Sequence, residues 1–101
     1  MASGTYFLRQ GSALKVVGEL TWDVTSAFDQ ACRTLLREVA SSPAVDLTGL
    51  DMMGSTHIGI LVAHATEARA SGKELIIKAS GSLRKVIVLS GLDKLAKIEY
   101  P

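Results

Sequence analysis

Ala44-Val45-Asp46-Leu47-Thr48-Gly49-Leu50-Asp51-Met52-Met53-Gly54-Ser55-Thr56-His57-Ile58-Gly59-Ile60-Leu61 packs a strand, a turn and the start of a helix into one run. Ala44–Leu47 is short and apolar, with Asp46 the single interruption. Residues 48–54 form a turn that carries Leu50, Met52 and Met53. From Ser55 or Thr56 to Ser71 the period changes to that of a helix, with Ile58, Leu61, Val62, Ala65 and Ala68 as its apolar stripe. Gly72 suits the position just past its C-terminus. A strand leading through a turn into a helix is the opening half of a unit that returns to a parallel strand.

The flanks supply the rest of that pattern. Tyr6–Gln10 and residues 13–20 are strand-like runs on either side of Gly11-Ser12, which reads as a tight hairpin of type II′. Val24, Ala27, Phe28, Ala31, Leu35 and Val39 then recur at helical spacing, widened by Cys32 and Leu36. This predicts a helix over residues 23–40, with Asp23 or Thr25 as its N-cap and Ser41-Ser42-Pro43 as its end. Beyond the quoted stretch, residues 74–79 read as an apolar strand. Leu83, Val86, Ile87 and Ser90 read as a helix closed by Gly91, and a last short strand falls near residues 97–100. The order predicts an α/β domain with a mixed four- to five-stranded sheet and helices packed mainly on one face. One domain is expected over residues 1–101.

Composition narrows the function. Hydrophobic residues make up 48% and charged residues 21%, which suits a folded globular chain. The formal net charge is +1, too weak a field for a dedicated nucleic-acid binder. The balance is uneven: residues 1–68 carry four Lys/Arg against seven Asp/Glu, and residues 69–101 carry seven against three. The basic third is either a set of solvated faces or an electrostatic face for an acidic partner. No apolar run is long enough for a membrane span, no secretory leader is seen, and a single cysteine, Cys32, fits a reducing, cytoplasmic setting. Cys32 lies in an apolar stripe and reads as a small core residue.

No phosphate-binding glycine loop, dinucleotide fingerprint, zinc-protease motif or nucleophile elbow occurs. An enzyme is therefore not expected, and neither is a cofactor. His57 and His64 share a helix face but sit about 10 Å apart along its axis, too far to hold one metal together. They read as solvated histidines. The adjacent hydroxyls of Ser55 and Thr56 carry two readings. One is a helix N-cap. The other is a phosphorylation site, because a phosphate there meets unpaired N–H groups and the positive end of the helix dipole.

Four stretches, in order and at fitting spacing, resemble the STAS domains of bacterial anti-sigma factor antagonists. They are Gly18-Glu19-Leu20, Val45-Asp46-Leu47-Thr48-Gly49-Leu50, Gly54-Ser55-Thr56-His57-Ile58-Gly59-Ile60-Leu61 and Leu89-Ser90-Gly91-Leu92-Asp93. The resemblance spans essentially the whole chain and implies the STAS fold. It implies a protein that binds an anti-sigma factor, itself a serine kinase with an ATP-binding fold, and that lets go when phosphorylated. The phosphorylated position carries over to Ser55, with Thr56 beside it, and a phosphatase would complete such a cycle. Three positions depart from the family pattern: Gly54 replaces an aspartate, His57 a glycine and Thr21 an aspartate. Asp23 or Asp51 are the acidic residues that could stand in. His57 adds bulk where a kinase backbone would approach closely.

The docking surface expected on this basis is residues 54–59 with the outer face of the second helix: Gly54, His57, Ile60, His64 and Glu67, together with Thr21 and Asp23. Ile60 lies off the buried stripe and is expected to face solvent until a partner covers it. The alternatives are a STAS interaction subunit of a stress-sensing or transporter complex that is never phosphorylated, and a small-ligand binder or enzyme, nucleotides being the ligand class the resemblance suggests. A homodimer is a further candidate assembly.

Overall fold

The computed structural model describes residues 4–101. Its strands are β1 (Tyr6–Gln10), β2 (Ala13–Val17), β3 (Ala44–Leu47), β4 (Ile76–Ala79) and β5 (Lys97–Glu99), and its helices are α1 (Thr25–Glu38), α2 (Ser55–Ala70) and α3 (Arg84–Ser90). The five strands form one sheet in chain order. β1 runs antiparallel to β2, and every later neighbour is parallel because a helix carries the chain back between strands. The hairpin turns at Gly11, whose φ of 60° and the absence of a positive φ at Ser12 fit type II′.

Register sorts the two sheet faces. Leu14, Val45, Ile77 and Ile98 lie side by side across four strands. They belong to a core that also takes Phe28, Cys32 and Leu35 from α1, Leu61 and Ala65 from α2, and Ile87 from α3. All three helices therefore cover this one face. Fully burying each such aliphatic or aromatic side chain contributes about 1.5–3 kcal/mol.

The next row, on the opposite face, is Lys15, Asp46, Lys78 and Glu99. Charge alternates from strand to strand, an arrangement in which each opposite pair contributes about 0.2–1 kcal/mol. Burial works to raise the Asp46 carboxyl. The Thr48 hydroxyl and amide that donate to it, with Lys15 and Lys78 alongside, outweigh that and hold it below the ordinary carboxylate range. Those bonds, at 2.7 and 2.9 Å to Asp46 Oδ1, also shape the turn out of β3 toward α2. Asp46 thus ends a strand and begins the approach to the site.

Several basic residues of the last third have structural work. The Arg84 guanidinium lies 4.1 Å from the centre of the Tyr100 ring. Arg69 donates to the Lys94 carbonyl at 2.8 Å, and Lys73 donates to the carbonyl of Leu36.

Candidate functional site at the start of α2

The site lies where the turn after β3 enters α2. Both helix N-termini differ from expectation. Gly54 is the N-cap of α2, with an extended backbone (φ −77°, ψ 164°), and its carbonyl accepts the Ile58 amide at 3.1 Å. Ser55 is therefore the first helical residue and does not cap the helix; neither does Thr56. Both are exposed, and among the described residues neither hydroxyl takes a hydrogen bond within the chain. At the other helix, a 3-10 turn, Trp22–Val24, precedes α1, and neither Asp23 nor Thr25 caps it. The Asp23 carboxylate accepts from the Thr21 hydroxyl at 2.5 Å, while Thr25 Oγ1 donates to the Trp22 carbonyl at 2.7 Å.

The strand end before this turn explains the glycine of Gly18-Glu19-Leu20. Gly18 has φ of 97°, and a Cβ there would meet the Thr5 backbone at 3.0 Å. The chain passes this close because Thr5 Oγ1 donates to the Glu19 carbonyl at 2.6 Å. Gly54 is different. Its φ is ordinary and a Cβ would meet nothing within 4 Å, so no steric demand keeps aspartate out of this position.

The two histidines are not on the surface. His57 is 5% exposed and His64 3%, so neither stands in solvent on the outer face of α2. They point at α1, where each finds a partner. His57 Nε2 lies 3.1 Å from Thr25 Oγ1, and His64 Nε2 lies 2.7 Å from Asp29 Oδ1. A buried polar side chain is tolerated when its hydrogen bonds are supplied, and here α1 supplies them. The bulk of His57 thus faces the interior, against Phe28 at 5.9 Å between ring centres. Burial pushes the His57 imidazole below its ordinary value, and a bond to the Thr21 backbone works the other way. Ile60 is half-buried and packs on the core rather than standing in solvent. Thr21 is half-buried, whereas Gly54, Asp23 and Glu67 are exposed.

What stands in solvent is Trp22, 85% exposed, and Met52, 80% exposed. Each lines one of two adjoining grooves that meet at Gly54. A groove of about 550 Å³ is lined by Leu20, Trp22, Thr25, Ser55, Thr56 and His57. A second, of about 440 Å³, is lined by Glu19, Leu50, Asp51 and Met52 and shares Leu20 and Gly54 with the first. The surface therefore has an exposed hydroxyl at its centre, large apolar side chains on its flanks and carboxylates at its edge. Trp22 and Met52 escaped the sequence reading. A lone tryptophan between a strand and a helix, off any apolar stripe, is the signal that marked the first.

Cys32 is fully buried in the core, as its place in the stripe predicts, and burial pushes its thiol up to about 12. Among the described residues no group of histidine, cysteine and carboxylate side chains could hold a metal ion. No helix among them is long and apolar enough to cross a membrane.

Comparison with known proteins agrees with this geometry. The crystal structure of an anti-sigma factor antagonist from Mycobacterium paratuberculosis superposes with a TM-score of 0.77 over 94% of this chain and 83% of that one, at 23% identity. That likeness establishes the fold. No curated protein sequence matches the chain. A family model described as "Mlab, STAS domain" matches residues 4–98. The five-stranded mixed sheet with its helices on one face is the STAS fold, and the chain belongs to the STAS domain family.

Proposed function

We propose that this chain is an anti-sigma factor antagonist that works by partner switching in the cytoplasm, as a single STAS domain. Its partner is an anti-sigma factor that is also a serine kinase with an ATP-binding fold. The unmodified protein docks through the α2 N-terminus, and phosphorylation of Ser55 releases it. A phosphatase resets the cycle.

One observation carries this: the Ser55 hydroxyl is exposed and unbonded at the start of a long helix, between the exposed side chains of Trp22 and Met52. A kinase can reach such a hydroxyl without unfolding anything. The product phosphate would sit at the positive end of the helix dipole, so the fold accepts it. It would add about two negative charges in the middle of an apolar docking surface. The crystal structure to which the chain is similar is itself that of an anti-sigma factor antagonist, which supports the same role.

The test is incubation with a candidate anti-sigma kinase and ATP, followed by phosphate mapping by mass spectrometry and binding measured before and after. Phosphate on Ser55, with weaker binding afterwards, is expected. Ser55→Asp should bind weakly, and Ser55→Ala should bind but resist modification. No phosphate on Ser55 or Thr56 and no binding to any such kinase would overturn the proposal. A second reading, a STAS subunit of a stress-sensing or transporter complex that is never phosphorylated, is favoured by Gly54, which leaves Ser55 without a carboxylate immediately before it.

A further inference from the structure

We propose that β1 is the interface of a two-fold homodimer: the outer edge of this strand pairs antiparallel with the same edge of a second copy, joining two sheets into one. The inference does not depend on the role of Ser55, because the β1 margin shares no lining residue with the grooves beside that hydroxyl.

The two margins of the sheet differ. β5 has three residues, sets Lys97 and Glu99 on either side of Ile98, and is followed by Tyr100 and Pro101. A short, charged strand close to a proline is a poor template for a further strand. β1 has none of these protections. It runs five residues, pairs with β2 residue for residue from Tyr6 to Gln10 without a bulge, and contains no proline. Its one charged side chain, Arg9, is held by Glu38 of α1 at 2.8 Å. β1 has a neighbour on one side, and in an antiparallel ladder alternate backbone N–H and C=O groups point away from that neighbour. Among the described residues no backbone bond from another element satisfies that outer row.

Both faces beside this edge are unfinished. On the face without helices, Leu8 stands opposite Lys15 of β2, with Tyr6 in line on the same strand. Tyr6 is 51% exposed and Leu8 39%. On the helix face, α1 stops short of the margin. A groove of about 430 Å³ opens there between Phe7 and Leu14 on the sheet and Ala27, Ala31 and Thr34 on α1.

The occupant that fits both faces is the same strand of a second copy. A two-fold axis through Leu8, perpendicular to the sheet, keeps the helices of both copies on one side. It sets Leu8 against its own copy and Tyr6 against the second copy's Gln10, so the Tyr6 and Leu8 side chains of both chains form one apolar strip across the axis. On the helix side Phe7 faces the second copy's Arg9, at the mouth of the groove. Charge suits this arrangement. Each Arg9 meets an aromatic ring rather than the other Arg9. The α1 side chains at the groove, Ala27, Gln30, Ala31 and Thr34, are uncharged. Pairing closes at two copies because each uses its one open edge. Five paired residues make a small interface, so the dimer is weak and its population follows concentration.

The experiment is sedimentation velocity on the full chain from about 5 to about 500 μM, a range that brackets weak association, with far-UV circular dichroism on each variant. The mass should rise from one chain to two and stop there. Leu8→Lys sets two like charges opposite each other at an exposed position, so it should keep the helix signal and stay monomeric throughout. Leu8→Cys should give a disulfide-linked dimer under mild oxidation, because residues directly opposite across paired strands come close enough to bridge. Val88→Cys, also exposed but on α3, should not, and the buried Cys32 does not compete. A single-chain mass over the whole range, growth past two copies, or a Leu8→Lys variant that dimerises like the parent overturns the inference. So does a Leu8→Cys variant that crosslinks no faster than Val88→Cys. Neither measurement needs a partner, so failure here leaves the partner-switching proposal standing, and a failed kinase assay leaves this one standing.

Discussion

His64 Nε2 lies 2.7 Å from Asp29 Oδ1, joining α2 to α1 across 35 positions of sequence. With the Thr25–His57 contact it makes two polar rungs in an otherwise apolar helix interface. The His64 bond is the largest influence holding the Asp29 carboxyl below its ordinary value of 3.8; burial opposes it and Arg33 adds to it. A carboxyl depressed in the folded state contributes stability that is present above the unfolded value and lost as pH falls below it. Asp29→Asn should cost about 1–3 kcal/mol at pH 7, since it weakens the bond to a buried ring. It should also flatten the loss of stability below about pH 4. Urea midpoints from pH 7 to pH 3 measure both.

His57 shifts in the same direction, at a higher pH. Its folded value is lowered, so its contribution is whole above 6.5 and declines as pH falls below that. Urea midpoints of the unmodified protein should drop between pH 7.5 and pH 5.5. His57→Gln should lower the midpoint at pH 7.5 and lessen that drop.

Gly54→Asp should be accommodated, because the backbone is ordinary and space is open. A carboxylate at the N-cap gains a bond to the first turn and a favourable dipole, together about 0.3–1 kcal/mol. Thermal denaturation should show a small rise in Tm. If the second reading of function is right, this variant should still take no phosphate on Ser55. If the first is right, it should be a kinase substrate at least as good as the parent.

Trp22→Ala and Met52→Ala should leave stability within about 0.5 kcal/mol, because both side chains stand in solvent. Binding to the proposed anti-sigma partner should fall much further, with a loss of about 2 kcal/mol or more for Trp22, as for aromatic anchors at interfaces. Calorimetric titration beside thermal melts separates the two effects.

Cys32 has no exposed surface and a thiol pushed up to about 12, largely by burial. Ellman's reagent should not label the native protein over hours at pH 8 and should label it fully in guanidinium.

The alternation of strand and helix was legible because it depends on local period. Val24 to Val39, Ile58 to Ala68 and Leu75 to Ile77 state it outright, and the structure moves their boundaries by only a few residues. The Ser55 position was legible too, since a turn rich in glycine placed the hydroxyl at a helix start. The identity of the cap was not. Ser55 and Gly54 differ by one position, and backbone conformation alone decides between them.

The sequence by itself determined the order of elements, most of the apolar stripes of α1 and α2, and the place of Ser55 at a helix start. Only the tertiary structure decided which way His57 and His64 face and which large apolar side chains remain outside. Periodicity counts histidine as polar and assigns it to solvent. Its burial depends on Thr25 and Asp29, 32 and 35 positions away, which complete its hydrogen bonds only once α1 and α2 lie side by side on the sheet. Trp22 is exposed on a short turn that buries no residue, and a junction between strand and helix has no period from which its side could be read.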